Sequence, residues 1–312
     1  VSGDRMCMPF NLIGNRLVFG VATPNDPSQL VLFDRVANSE TPLTEINRAI
    51  RTELQWPHIH TIHTTSTDGT PVEGWIWLPN NGHAPYPTML YIHGGPHAAQ
   101  GYAFYFDALS LTSAGYAVLM INYRGSTGYG DAFSTGINGD WGNLDYHDLQ
   151  AGVDAAIVGG LADANRLACG GLSAGGYHTC WLITHTHRFK AAVAENAVTN
   201  WVSFYGTADI GPSFAVRQLG GTPYQMPETY HRCSPITYAP SCQTPTLLIV
   251  GEEDRRCPAE QSEQFYTVLK QNGCITEMVR LPNASHDGST YGIWSERRAQ
   301  NEALVEWLNR FI

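Results

Sequence analysis

The chain has 312 residues, 43% of them hydrophobic, enough for one large α/β domain with a smaller element attached and incompatible with a disordered chain. Lysine and arginine number 18 against 28 aspartates and glutamates, a net charge of −10 without basic runs, which argues against nucleic acid or an anionic membrane surface as partner. No apolar run approaches the ~20 residues of a membrane span and no signal peptide is visible, so a cytoplasmic location is expected of the residues present, which begin at Val1 rather than methionine.

Residues 1–50 read as an all-β segment. Leu17–Val21 and Leu30–Phe33 are β-rich runs flanking the turn cluster Thr23–Ser28, which predicts one hairpin. A lone hairpin is marginal in water and leaves an open edge, so it is expected to dock on the rest of the chain or to mediate self-association into a homo-oligomer. From residue 51 the pattern changes. His58–Ile62 and Val72–Leu78 are strands around the turn Thr67–Thr70. Strand Thr88–Ile92, helix Phe104–Ala114 and strand Ala117–Ile121 follow. Helix Leu144–Val158 sets Leu149, Val153 and Ile157 along one face. Next come strand Arg166–Cys169, a helix from Gly175 to Thr184 and strand Ala191–Ala194. Strand Thr246–Val250, helix Ala259–Gln271, strand Thr276–Leu281 and a closing helix Glu296–Ile312 complete the chain.

Near-continuous apolar strands alternating with helices predict an α/β class fold, a mostly parallel sheet covered by helices on both faces, over residues 51–312. Residues 198–243 break that rhythm. Their aromatic residues, Trp201, Phe204 and Tyr205 among them, predict an insertion that shapes a substrate pocket.

Gly171-Leu172-Ser173-Ala174-Gly175 holds Gly-x-Ser-x-Gly between a strand and a helix. A serine there sits at the apex of a sharp turn, with a helix N-terminus aimed at it, suited to developing negative charge. A serine hydroxyl is a weak nucleophile and requires a base oriented by a third group. In this architecture the acid and then the histidine follow the serine in the chain. Of the twelve histidines, only His286 follows both the strand and the helix needed to carry an acid first, and it lies in a polar loop, residues 283–288, after a strand. The acid is expected after Thr246–Val250, where Asp254 is the candidate and Glu253 the reserve. The amides of Ala174 and of Gly95, in His93-Gly94-Gly95-Pro96, are the candidate oxyanion donors.

The seven cysteines lack a Cys-x-x-Cys. Cys169 and Cys180 read as small buried hydrophobes. Cys233 and Cys242 are near enough in sequence to be bridged, although free thiols are the expectation. His58 and His60 share a strand face without a carboxylate or cysteine to complete a set, so no metal site is expected there, and no phosphate- or dinucleotide-binding glycine motif occurs, so no cofactor is expected.

From Leu43 onward the chain resembles the catalytic domain of the prolyl oligopeptidase family, in particular its acylaminoacyl-peptidase-like branch. The resemblance rests on Leu43–Asn47, Asp68-Gly69, Gly74-Trp75, His93–Pro96, Asn122–Gly130, Trp141-Gly142, Gly171–Gly176, Gly251–Pro258 and Ser285-His286, in that order. It implies an α/β-hydrolase fold, a triad of Ser173, Asp254 and His286, and oxyanion donors at Gly95 and Ala174. It also implies that Arg256 lies beside the site to bind a substrate carbonyl. The implied activity is hydrolysis of short or N-terminally blocked peptides, with small-molecule esters or amides as the alternative substrates and an inactive interaction module as a third reading. Residues 1–50 resemble the last blade of the family's propeller, so association with a propeller absent from this chain is a further expectation.

Overall fold

Two separate sheets organise the chain, of which the computed structural model describes residues 3–287 and 291–312. Strands β1 (Met6–Ile13), β2 (Arg16–Thr23), β3 (Asp26–Asp34) and β4 (Ser39–Pro42) form a four-stranded antiparallel sheet in chain order. The expected hairpin is therefore half of the element. Its turn is also shorter than expected, because β2 runs to Thr23 and β3 starts at Asp26. Two signals hid the outer strands. Pro9 interrupts the apolar row of β1 and is tolerated because β1 is an edge strand with a register shift between Pro9 and Asn11. The four residues of β4 are polar or proline throughout.

After the short helix α1 (Arg48–Glu53), eight strands build the second sheet. These are β5 (His58–Thr65), β6 (Pro71–Leu78), β7 (Tyr86–Ile92), β8 (Ala117–Asn122), β9 (Ala162–Leu172), β10 (Ala191–Glu195), β11 (Thr246–Gly251) and β12 (Thr276–Leu281). Their spatial order is β12-β11-β10-β9-β7-β8-β6-β5. β5 and β6 are antiparallel to their neighbours and the other six strands, β7 to β12, run parallel.

The helices are α2 (Phe106–Ser113), α3 (Asp131–Ser134), α4 (Leu144–Val158), α5 (Ala174–His185), α6 (Trp201–Thr207), α7 (Gly211–Leu219), α8 (Pro227–Arg232), α9 (Ala259–Gln271) and α10 (Trp294–Phe311). Alternation along β8 shows why both faces need cover. Leu119 and Ile121 pack with Leu149 and Val153 of α4, with Ile183 of α5 and with Phe265 of α9 in one core. Val118 and Met120 point the other way, into a second core with Leu111 of α2 and Leu304 and Trp307 of α10. A run buried on both faces is what a parallel strand requires. Among the described residues no helix is long and apolar enough to cross a membrane.

The expected insertion folds as α6, α7, α8 and two short 3₁₀ turns. Its Trp201, Phe204, Leu219 and Tyr230 join Trp141 and Tyr177 in a third cluster above the sheet. All seven cysteines are free, and Cys169 and Cys180 are fully buried. Cys242 shares the Thr244 carbonyl with Cys274 rather than approaching Cys233, with sulfur–oxygen distances of 3.9 and 3.2 Å.

Candidate active site

The parallel strands bring their C-terminal ends to one edge of the sheet, where chemistry sits in open α/β sheets. Gly171 of β9 pairs with Ile92 of β7, Leu172 with Glu195 of β10, and Glu195 with Ile249 of β11. The loops carrying His93, Ser173, Asp254 and His286 all leave from that edge.

Ser173 lies between β9 and α5 with φ 64° and ψ −118°, a left-handed conformation that a residue with a side chain adopts only under constraint. The constraint is visible in its neighbours. A Cβ on Gly171 would lie 2.1 Å from the Ile92 carbonyl, and one on Gly175 would lie 2.0 Å from the same oxygen. The turn is that tight, and both positions require glycine. The Ser173 amide donates to the Glu195 carbonyl at 2.9 Å, tying the apex to β10. The helix begins at Ala174, one residue earlier than the spacing predicts, so the Ala174 amide belongs to the first turn and has no intrahelical acceptor.

Asp254 is buried, and its carboxylate is fully engaged. Oδ1 accepts from the amides of Arg256 and Cys257, each at 2.8 Å, and Oδ2 lies 2.8 Å from His286 Nδ1. A carboxylate clamped by two amides is oriented before the histidine arrives. That leaves Nε2 as the imidazole's second nitrogen, and His286 and Ser173 line one pocket of about 340 Å³. Ser173 also interacts with the Cys257 thiol, which burial pushes well above its usual pKa, so the sulfur stays protonated. Glu253, the reserve acid, is exposed and only its amide is used, donating to the Ala284 carbonyl at 3.0 Å.

The loop His93–Pro96 lies against the serine. A Cβ on Gly94 would be 3.2 Å from the Ser173 Cβ, and Gly95, at φ 123°, lines the same pocket. His93 anchors this loop: it stacks on Tyr123 at 4.5 Å, its Nε2 is 2.9 Å from Ser126 Oγ, and Tyr123 donates to its carbonyl at 3.0 Å. Burial lowers its pKa to about 4, so it stays neutral, and His178, beneath Tyr123, is lowered to about 3 for the same reason.

The remaining wall is apolar. Trp201 and Phe204 line the pocket. Phe214, another aromatic of the 198–243 insertion, joins them together with Val198 and Ile210 of the same segment, and Trp141 completes the wall from outside it. Tyr205 does not line it. One residue further along α6 than Phe204, it is turned about 100° away and meets Tyr230 at a ring distance of 6.3 Å. Arg256 sits at the rim, half-exposed, its Nε donating to Asp209 Oδ1 at 2.7 Å. His58, His60 and His63 lie on β5, and among the described residues no group of three or more His, Cys, Asp or Glu is arranged to hold a metal ion.

Comparison with known proteins places this geometry in a family. The family model for the prolyl oligopeptidase family matches residues 102–312. The chain is 38% identical over 298 residues to the uncharacterized peptidase YuxL of Bacillus subtilis, covering 95% of this chain and 45% of that protein. It is 32% identical over 281 residues to the acylamino-acid-releasing enzyme of Mus musculus, covering 86% of this chain and 38% of that protein. Among solved structures, an acylaminoacyl peptidase of Pyrococcus horikoshii superposes with a TM-score of 0.94 at 30% identity, over 100% of this chain and 50% of that one. The chain therefore spans half or less of the length of these relatives. Its eight-stranded sheet and helices form an α/β-hydrolase domain like theirs, and its four-stranded antiparallel sheet resembles a propeller blade. Matched over most of its length by the family model, and above 30% identity to a relative across nearly all of it, the chain belongs to the prolyl oligopeptidase family.

Proposed function

We propose that this chain carries the catalytic domain of a serine peptidase that cleaves short or N-terminally blocked peptides through an acyl-enzyme on Ser173. One observation carries the reading: a serine held at a strained strand–helix apex shares a pocket with His286, whose Nδ1 is 2.8 Å from the clamped carboxylate of Asp254. In the first step His286 Nε2 takes the Ser173 proton as Oγ bonds to the substrate carbonyl carbon, and the amides of Ala174 and Gly95 receive the charge that forms on the carbonyl oxygen. His286 then gives that proton to the departing amine as the C–N bond breaks. Water, deprotonated by the same histidine, releases the acyl group. Asp254 holds the imidazole tautomer and stabilises its cation.

The pocket states a preference. A wall of Trp201, Phe204, Phe214 and Ile210 suits a large apolar side chain on the acyl residue. Arg256 at the rim is the donor suited to a substrate carbonyl, held ready by Asp209.

The test is a substrate panel with a Ser173→Ala control. Acetyl-phenylalanyl anilide is expected to turn over faster than acetyl-glycyl anilide by at least about tenfold, from the burial of the aromatic ring. Turnover of p-nitrophenyl esters with no anilide turnover would replace the peptidase by a carboxylesterase. Inertness toward both would favour an interaction module.

A further inference from the structure

We propose that Asn196 is a positioning residue for this reaction, holding the three segments that carry Ser173, Asp254 and His286 in a single register; the inference rests on the function proposed above. Asn196 follows β10 directly, is 6% exposed, and has φ 42°, the left-handed region in which asparagine is among the few tolerated side chains. A buried non-glycine residue stays in that conformation only where its surroundings over-determine it. Here they do so from three sides.

Its backbone amide donates to the Ile249 carbonyl of β11 at 2.9 Å. Its side-chain Oδ1 accepts from the Gly251 amide at 2.8 Å, at the last residue of β11, three positions before Asp254. Its Nδ2 donates to the backbone carbonyl of His286 itself at 2.9 Å. The preceding residue, Glu195, offers the carbonyl that accepts the Ser173 amide. One dipeptide thus touches the serine turn, the end of the acid strand and the histidine loop.

The amide orientation is settled by its partners. Gly251 N–H can only donate and the His286 carbonyl can only accept, so oxygen faces the first and nitrogen the second. Among the described residues the histidine loop is also tied upstream of His286, by the Glu253 amide to the Ala284 carbonyl and by the Asn283 amide to Glu296 Oε1 at 3.2 Å, and downstream of it, where the Tyr291 amide donates to the Asp287 carbonyl at 2.7 Å. Asn196 is the side chain that grips the backbone at His286 itself, and it does so from the strand edge that also holds Ser173 and the end of β11. Losing that grip lets the ring drift from both Asp254 and the serine, and a misplacement of about 1 Å costs on the order of 10² in rate.

Two variants separate positioning from scaffolding. Asn196→Gly keeps the positive φ without strain and removes both side-chain bonds. Asn196→Asp keeps the acceptor for Gly251, removes the donor to the His286 carbonyl and sets a charged oxygen against it. Each is assayed with acetyl-phenylalanyl anilide beside wild type and Ser173→Ala, together with the thermal midpoint and the rate of fluorophosphonate labelling.

The expected result is a folded protein in which kcat falls about 10²-fold, labelling slows in parallel, and KM stays within about threefold, because binding and chemistry separate when only the catalytic groups move. Wild-type kcat in either variant overturns the inference. A rise in KM alone also overturns it, since that marks a substrate contact. Loss of fold in both variants does so as well, by assigning Asn196 to the scaffold. The Ser173→Ala control distinguishes the two levels. If that control is dead while the Asn196 variants run normally, only the positioning role fails. If the control is active, the proposed function itself fails.

Discussion

Replacing Ser173 with alanine is expected to lower peptide-anilide turnover by about 10⁴-fold or more, leaving KM near its wild-type value. The expectation follows from what the hydroxyl does. It is the only group at the apex able to form the acyl bond, and the other parts of the site act on it. His286 has a proton to take only if Oγ is present, and the amides of Ala174 and Gly95 receive charge only if Oγ attacks. The fold loses little with it. The backbone at this position is held by the Ser173 amide on the Glu195 carbonyl and by the close approach of Gly171 and Gly175 to Ile92, and none of these involves the side chain. The thermal midpoint of the variant is therefore expected within about 3 °C of wild type, in line with the small effects typical of substitutions that disturb no packing or buried network. A large fall in midpoint would show that the turn depends on the hydroxyl and that lost activity reports lost structure.

The largest effect on stability is expected at Arg124, outside the chemistry. This residue follows β8 in the loop Asn122–Gly130. Its Nε and NH2 donate to the two oxygens of Asp148 at 2.9 and 2.7 Å, NH2 also reaches Ser66 Oγ at 3.1 Å, and NH1 pairs with Asp68. Asp148 is fully buried on α4. The pairing also holds the Asp68 carboxyl down at about 2. One guanidinium thus ties the β5–β6 turn and α4 to the loop after β8. Arg124→Ala would leave the Asp148 carboxylate buried, with the Arg124 amide as its remaining donor, at 2.8 Å. Breaking a buried pair from one side costs about 3–5 kcal/mol, which for a domain of this size lowers the midpoint by roughly 10 °C. Arg124→Lys is expected to recover only part of it, because an ammonium cannot bridge both Asp148 oxygens in the plane of a fork. A midpoint for Arg124→Ala within 2 °C of wild type in differential scanning fluorimetry would contradict this account.

What could be read in the sequence divides along physical lines. α4, α9 and β12 begin and end where periodicity and breakers put them, because each is long enough for its pattern to repeat. The grouping of Ser173, Asp254 and His286 was legible because a serine turn constrains its own glycines, and because chain order in this architecture limits where its partners can sit. The outer strands of the small sheet were not legible. β1 carries a proline that only its edge position excuses, and β4 has no apolar residue to alternate.

The pocket wall was half legible. Aromatic density in 198–243 pointed to Trp201 and Phe204, yet it also pointed to Tyr205, which the helical turn of α6 carries away to Tyr230. Trp141 lies outside that segment and meets Phe214, within it, only in the folded chain. Asn196 gave no signal at all, because its role lies in a positive φ and three hydrogen bonds across the sheet edge, and neither has a local pattern.

Ser173 is the proposed nucleophile and His286 the base that activates it. This assignment is tested most directly by treating the folded chain with a fluorophosphonate and mapping the adduct by peptide mass spectrometry, on wild type, Ser173→Ala and His286→Ala. A single adduct on Ser173 is expected, with none in Ser173→Ala and labelling slowed by at least about 10³-fold in His286→Ala. An adduct on another residue, or undiminished labelling without His286, would contradict it.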